Sequence, residues 1–194
     1  LLNTNRYFTS SKPNINKYPN EKFETRLLLD ENENRKGSGG LRYKNLFKTS
    51  LNEKPLISVI TPNFKSPDLE KTIISVLKQT YENIELIIID ADSGNETIEL
   101  LKKYDNYIDL WVSEKDKGLW DGWNKGIKFA NGKYIGILDS TSTFDPNAMD
   151  HLIKYIRNYP DLDFVFGTIK KGDKIYTGFR PNDIKLRFNI YPSC

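Results

Sequence analysis

The chain is poor in the residues that build metal and redox sites. Its 194 residues include one cysteine (Cys194), one histidine (His151) and one methionine. A lone cysteine excludes an internal disulfide framework and points to a reducing, cytoplasmic setting. A lone histidine excludes a His-rich metal cage. His151 falls in "NAMDHLIKYIRNY", where a structural or surface place on a helix is the expectation. No apolar run approaches the roughly 18 residues that a membrane-spanning helix needs, and the start carries no signal-peptide pattern. The first residue is Leu1 rather than methionine, as expected of an excerpt or a processed product. Charge of one sign is lacking too. The net charge is +3, with 11 basic and 6 acidic side chains in residues 1–54 and 18 against 20 in the rest. So balanced a chain offers no dedicated basic face, and no nucleic-acid partner is expected. Glycine signatures are also missing: no G-x-G-x-x-G follows an apolar strand, and there is no Walker loop. The "GSGG" at 37–40 has no apolar strand before it and no Lys-Ser/Thr ending, so it reads as linker.

What is there divides near Pro55. Residues 1–54, rich in Asn, Lys, Pro and Ser, read as a polar, basic N-terminal extension or linker, with a short helix around Phe23 to Leu29. Residues 55–194 alternate strand and helix patterns. "LISVITP", "IELIIID", "IDLWVSE" and "KYIGILD" are short apolar strands rich in β-branched residues. "SPDLEKTIISVLKQT" is helical, with Leu69, Ile73, Val76 and Leu77 on one face and Ser66 or Asp68 as N-cap. "NETIELLKKY" is a short helix with Ile98 and Leu101 inward. "LWDGWNKGIKFANG" is a helix with Trp120, Trp123, Ile127 and Ala130 on one stripe and Asn131-Gly132 as its stop. "PNAMDHLIKYIRNY" follows as a helix, then a strand "DFVFGTIKK" and a hairpin across Gly172-Asp173. Alternation of this kind predicts an α/β fold: a mostly parallel, Rossmann-like sheet with helices on both faces.

Ligands of such sheets bind outside the carboxyl ends of the strands. Three strand ends carry polar groups: Thr61-Pro62-Asn63, Asp90-Ala91-Asp92-Ser93 and Asp139-Ser140-Thr141. Ionised carboxylates accept hydrogen bonds only, which suits the hydroxyls and amides of a ribose or a base. In "SEKDKGLWDGWNKGI", Gly118 opens a helix whose backbone N–H groups suit a phosphate, with Lys117 and Lys125 adding charge. Asp116, Asp121 and Asn124 are its polar members; a solvated face beside two core tryptophans is the plain alternative.

The stretch "PLISVITPNFKSPDLEKTIISVLKQTYENIELIIIDADSGNET" resembles the opening of family-2 glycosyltransferases, and "SEKDKGLWDGWNKGIKFANGKYIGILDS" is similar to that family's second block. The resemblance runs from about residue 55 to 192. It implies a GT-A fold that binds a nucleotide sugar, a UDP-sugar being favoured. Thr61 and Pro62 would line the nucleotide pocket, and Asp90 would hydrogen-bond the base with Ser93 nearby. Asp116, Gly118, Asp121, Asn124 and Lys125 would frame the donor sugar and diphosphate. Asp139 would stand first in the acidic D-x-D motif that holds Mg²⁺ or Mn²⁺.

Two departures accompany the resemblance. Thr141 stands where the second acid belongs and Ser142 where another often follows, so the motif is degenerate and a bound metal is doubtful. The chain also stops at Cys194, before the segment that carries the family's general base, which is therefore expected further on. The implied activity is transfer of a sugar from a nucleotide-diphosphate donor, with inversion, to a glycan or lipid-linked acceptor in polysaccharide biosynthesis, with peripheral membrane association at the inner face. The competing expectation is an impaired or truncated relative that binds nucleotide sugar or a partner without turnover. A nucleotidyltransferase of related fold would need a Gly-rich basic loop after the first strand, and "TPNFKSPDL" is not one.

Overall fold

Seven consecutive residues, Ile84–Asp90, are buried without alternation, which happens when a strand lies in the middle of a sheet with both faces covered. The computed structural model describes residues 8–13, 25–30, 32–165 and 167–176. The chain divides into two compact units, 1–151 and 152–194. Unit 1 holds a five-stranded sheet in the order β1-β4-β3-β2-β5. Its strands are β1 (Gly37–Gly39), β2 (Ile57–Asn63), β3 (Ile84–Asp90), β4 (Leu110–Ser113) and β5 (Tyr134–Ile137). β2 to β5 pair in parallel, and β1 is antiparallel to β4. Between them run α1 (Leu69–Leu77), α2 (Asn95–Lys103) and α3 (Leu119–Phe129), and α4 (Ala148–Asn158) begins at the end of unit 1. The α/β expectation holds, and the four apolar strands and their helices stand where the patterns put them. In unit 2 the hairpin of β6 (Ile169–Lys171) and β7 (Lys174–Tyr176) turns at Gly172, whose φ of 58° suits glycine. Of the strand expected over 163–171, only its end forms. Among the described residues no helix is long and apolar enough to cross a membrane.

The strand order explains where a ligand would sit. From β2 the chain steps through β3 to β4 in one direction, then returns by α3 to β5 on the far side of β2. The crevice between the carboxyl ends of β2 and β5 is thus the switch point, where parallel sheets take their ligands. β5 itself was expected to be a buried strand. Among the described residues it pairs with β2 alone, and Ile135 and Ile137 are 48% and 46% exposed, since no described element covers that face of the edge.

α3 packs differently from the predicted tryptophan stripe. Its buried residues are Gly122, Gly126 and Phe129, spaced four and three apart, while Trp120 is 72% exposed. The reason is close approach. A Cβ on Gly126 would lie 2.3 Å from Ile60 Cγ2, and one on Gly122 would lie 3.2 Å from Pro62 Cβ. The helix backbone rests on β2 and β3 through two glycines, and the bulky tryptophans are turned to its flank.

The N-terminal region is not all linker. β1 is an edge strand, and Gly40 donates its N–H to Asp105 Oδ1 at 2.6 Å. A Cβ on Gly39 would fall 2.4 Å from the same Asp105 oxygen and 2.7 Å from Trp111 Nε1, so the glycines are there to fit beneath a tryptophan. After a 3₁₀ turn at Leu41–Lys44, two cations enter the interior. Arg42 meets Glu85 at 2.7 Å, and Lys48, fully buried, meets Asp109 at 2.7 Å. The described part of the helix expected near Phe23 to Leu29 is a bend: Arg26 spends its N–H on Lys128 O at 2.7 Å, a tertiary partner in place of a helical one. Residues 23 and 24 lie outside the described residues.

Candidate functional site

Three strands end in one row of polar residues, because Asn63, Asp90 and Ser113 are register partners across β2, β3 and β4. All three are buried, Asp90 completely. Asp90 Oδ1 accepts from Asn63 Nδ2 at 2.6 Å and from Ser93 Oγ at 2.5 Å. Asp90 Oδ2 accepts from Ser113 Oγ at 2.6 Å and from the Ser93 N–H at 3.1 Å. A carboxylate offers about four lone-pair sites, and those of Asp90 are all taken by the protein. A base bonded to Asp90, as expected from the sequence, would have to displace one of these four partners. What this clamp leaves over is on β2: Asn63 Oδ1 and Thr61 Oγ1 are buried and have no hydrogen-bond partner. Buried polar atoms of this kind are uncommon and mark a place where a partner belongs. Beside them Phe64 is 64% exposed at the mouth. Neither Asn63 Oδ1 nor Phe64 was singled out from the sequence, since only the paired register shows which atoms remain open.

The loop after β5 is held by its backbone. Ser66 Oγ donates to Ser140 O at 2.7 Å, Thr72 Oγ1 donates to Ser142 O at 2.8 Å, and the Ser142 N–H closes a turn onto Asp139 O at 3.0 Å. The hydroxyl-rich sequence is thus a tight turn whose carbonyls face α1, leaving the side chains of Asp139 and Thr141 exposed. As a metal donor set it is thin: one carboxylate among neutral hydroxyls. Among the described residues no group of three or more His, Cys, Asp or Glu side chains converges. Hard divalent cations favour anionic oxygens, so the residues present do not fit a site that holds Mg²⁺ or Mn²⁺ unaided.

The start of α3 is already furnished with anions. Asp116 Oδ1 accepts the Gly118 N–H at 2.9 Å, and Asp121 Oδ2 accepts the Lys117 N–H at 3.1 Å. These carboxylates brace the turn that leads into the helix, whose first N–H groups no side chain caps, and Asp121 in its first turn offsets the helix dipole and opposes a phosphate at the same place. Asn124 is exposed nearby. Gly118, with φ of 114°, allows the sharp entry into the helix. Lys125, expected beside a phosphate, meets Glu114 Oε1 at 2.7 Å. Glu114 Oε2 accepts from Arg35 Nε at 3.0 Å and Asn32 Nδ2 at 3.1 Å. Burial pushes the Glu114 carboxyl up, but Lys125 and Arg35 together outweigh it and hold the group below its ordinary value.

The site residues thus fall into two groups: Thr61, Pro62, Asn63, Asp90 and Ser93 at the strand ends, and Asp116, Gly118, Asp121, Asn124 and Lys125 around α3. Gly122 joins the two groups: it packs on Pro62, and a Cβ there would lie 3.4 Å from Asp116 Oδ2. Asp139 sits at the end of β5, across the switch point.

Comparison with known proteins agrees with this architecture. The uncharacterized glycosyltransferase MJ1057 of Methanocaldococcus jannaschii is 30% identical over 144 residues, covering 70% of this chain and 50% of that protein. The Escherichia coli UDP-Glc:alpha-D-GlcNAc-diphosphoundecaprenol beta-1,3-glucosyltransferase WfgD is 33% identical over 114 residues, covering 58% and 45%. The chain thus spans about half the length of the curated relatives it matches. The crystal structure of S. aureus TarS 1-349 superposes with a TM-score of 0.50 at 19% identity, over 54% of this chain and 33% of that one, a likeness of fold. The expected GT-A architecture is therefore present. With the Glycosyl transferase family 2 model matching residues 58–192, the chain belongs to that family.

Proposed function

We propose that this chain is the donor-binding part of a glycosyltransferase that moves a sugar from a nucleoside diphosphate, UDP by preference, to a glycan or lipid-linked acceptor with inversion. The observation that carries the proposal is the pair of buried, unpartnered polar atoms at the carboxyl end of β2, beside the switch point of the strand order, in a chain of this family. Thr61 Oγ1 and Asn63 Oδ1 would receive the nucleoside, with Phe64 offering an aromatic face to its base. Asp90 and Ser93 would act behind them, fixing Asn63. Asp116, Asp121 and Asn124 suit the hydroxyls of the donor sugar, since two carboxylates attract donors and repel phosphate. Lys125 is the cation for the diphosphate, whose bond to the anomeric carbon breaks as the acceptor oxygen attacks from the opposite face. The donor set at Asp139, one carboxylate among neutral hydroxyls, does not hold a divalent cation by itself, which leaves the diphosphate charge to Lys125.

The relative WfgD is named for a UDP-glucose donor and a diphosphoundecaprenol-linked acceptor, which supports a lipid-linked acceptor here. We place the domain from about residue 37 rather than 55, since β1 belongs to the sheet. Calorimetry with UDP-sugars and GDP-sugars, with and without Mn²⁺, tests the proposal: absence of binding to every nucleotide sugar would sink it. A second reading, binding without turnover, is favoured by Thr141 alone. Thr141→Asp distinguishes the two. If that variant gains Mn²⁺-dependent nucleotide affinity, the site is intact apart from one carboxylate.

A further inference from the structure

A carboxylate shared by two cations is less firmly committed to either than one paired singly. Glu114 is such a group. Its side chain is 9% exposed, with Lys125 on Oε1 and Arg35 on Oε2. Arg35 is itself fixed: its Nη2 donates to Asp30 O at 2.8 Å, and the next residue, Lys36, donates its N–H to Ser113 O at 2.8 Å. Glu114 is fixed from the other side, its N–H on Asp90 O at 3.0 Å. A cavity of about 280 Å³ opens here, lined by Leu29, Asp30, Asn32, Arg35, Glu114, Lys125 and Phe129. The N-terminal segment therefore places a guanidinium beside the residue that holds Lys125.

We propose that Arg35 is a positioning residue for the donor site: by sharing Glu114 it weakens that carboxylate's hold on Lys125 and leaves the ammonium available to an incoming diphosphate. The proposal rests on the assignment of Lys125 to the diphosphate for its functional consequence, but not for the coupling itself. Two cations meet one buried carboxylate, while the cavity's other carboxylate, Asp30, is largely exposed and paired with Arg26, so a phosphate oxygen would complete the charge at Lys125. Without Arg35, Lys125 becomes the sole counter-ion of Glu114 and binds it more firmly. Without the Glu114 charge, Lys125 is released. The two changes push in opposite directions, which a merely structural Arg35 would not produce.

Two measurements on the whole chain decide this. The first needs no nucleotide: labelling of Lys125 by an amine-reactive ester, read by mass spectrometry. Arg35→Ala is expected to slow it and Glu114→Gln to speed it, each roughly three- to tenfold as for directly contacting residues, with other lysines unchanged. The second is calorimetry with UDP and UMP. Arg35→Ala should weaken UDP roughly threefold or more and UMP much less, Glu114→Gln should strengthen UDP, and Arg35→Lys should stay near the parent. Labelling of Lys125 unchanged in both variants, or shifted in the same direction, overturns the inference whatever UDP does. Opposite labelling shifts with no UDP binding anywhere support the coupling and refute the donor assignment instead. If Arg35→Ala fails to fold, Glu114→Gln is judged alone, and slower or unchanged labelling overturns the inference.

Discussion

Replacing Gly126 by alanine puts one methyl group into the seam between α3 and the sheet. The new Cβ would stand 2.3 Å from Ile60 Cγ2 and 3.4 Å from Ile89 Cγ1. Optimal carbon–carbon separation is about 3.5–4.0 Å, so α3 must retreat by about 1 Å or Ile60 must leave its rotamer. Ile60 is fully buried in the cluster with Ile87, Ile89, Leu110 and Val112, so it has little room to move. A contact this short puts the overpacking cost in the upper part of its usual range, about 2–3 kcal/mol, and alanine recovers about 0.8–1 kcal/mol over glycine inside a helix. The net is a loss of about 1–2 kcal/mol, or about 2–8 °C in Tm for a chain of this size. Gly122→Ala is the comparison: its Cβ would sit 3.2 Å from Pro62 Cβ, a contact that a small shift relieves, so propensity and crowding nearly cancel there. Thermal unfolding by circular dichroism of both variants gives the answer. A Gly126→Ala protein as stable as the parent, or more so, would refute the close-packed seam and with it the placement of α3 against Pro62.

Asp109→Ala would leave Lys48 buried without its carboxylate; a loss of about 3–5 kcal/mol is expected, read as a fall in denaturant midpoint, whereas exposed Lys71→Ala should leave the midpoint unmoved. Asp90→Asn would turn an amide N–H₂ toward donors that need an acceptor, costing about 2 kcal/mol and weakening UDP binding through Asn63; unchanged stability would mean that the four hydrogen bonds to Asp90 are not made together. Acid should loosen the N-terminal seam. Asp105 is pushed up by burial, but Lys44, Trp111 and the Gly40 N–H outweigh that and leave it below its ordinary value, as with Glu114. A depressed carboxyl contributes stability that is fully present above its unfolded value of about 4 and is lost as pH falls through the folded one. Stability should therefore be level from about pH 7 to 5 and drop below about pH 4, and Asp105→Asn should flatten the drop.

Periodicity and strand-end chemistry, taken from sequence alone, determined the α/β class, the succession from β2 to α4 and the polar residues at the strand ends. These are local properties: β-branched runs such as "IELIIID" leave no alternative to a buried strand, and each ends at a polar residue. Tertiary structure decided which of those residues remain open. Asp90 looks like an open carboxylate in sequence, yet its register partners Asn63 and Ser113 and the Ser93 turn all bond it, while Asn63 Oδ1 is left without a partner. Trp120 looks like core in sequence, yet the glycines at 122 and 126 let α3 approach too closely for a tryptophan face. The "GSGG" run looks like a linker, yet Trp111 and Asp105, some 65 residues away in sequence, need a strand without side chains beneath them. Lys125 looks free until Glu114 meets it, a carboxylate that Arg35 of the N-terminal segment shares. Sequence patterns report what each residue can do. Which capacities are already spent depends on partners brought from elsewhere in the chain, and that is settled only by packing.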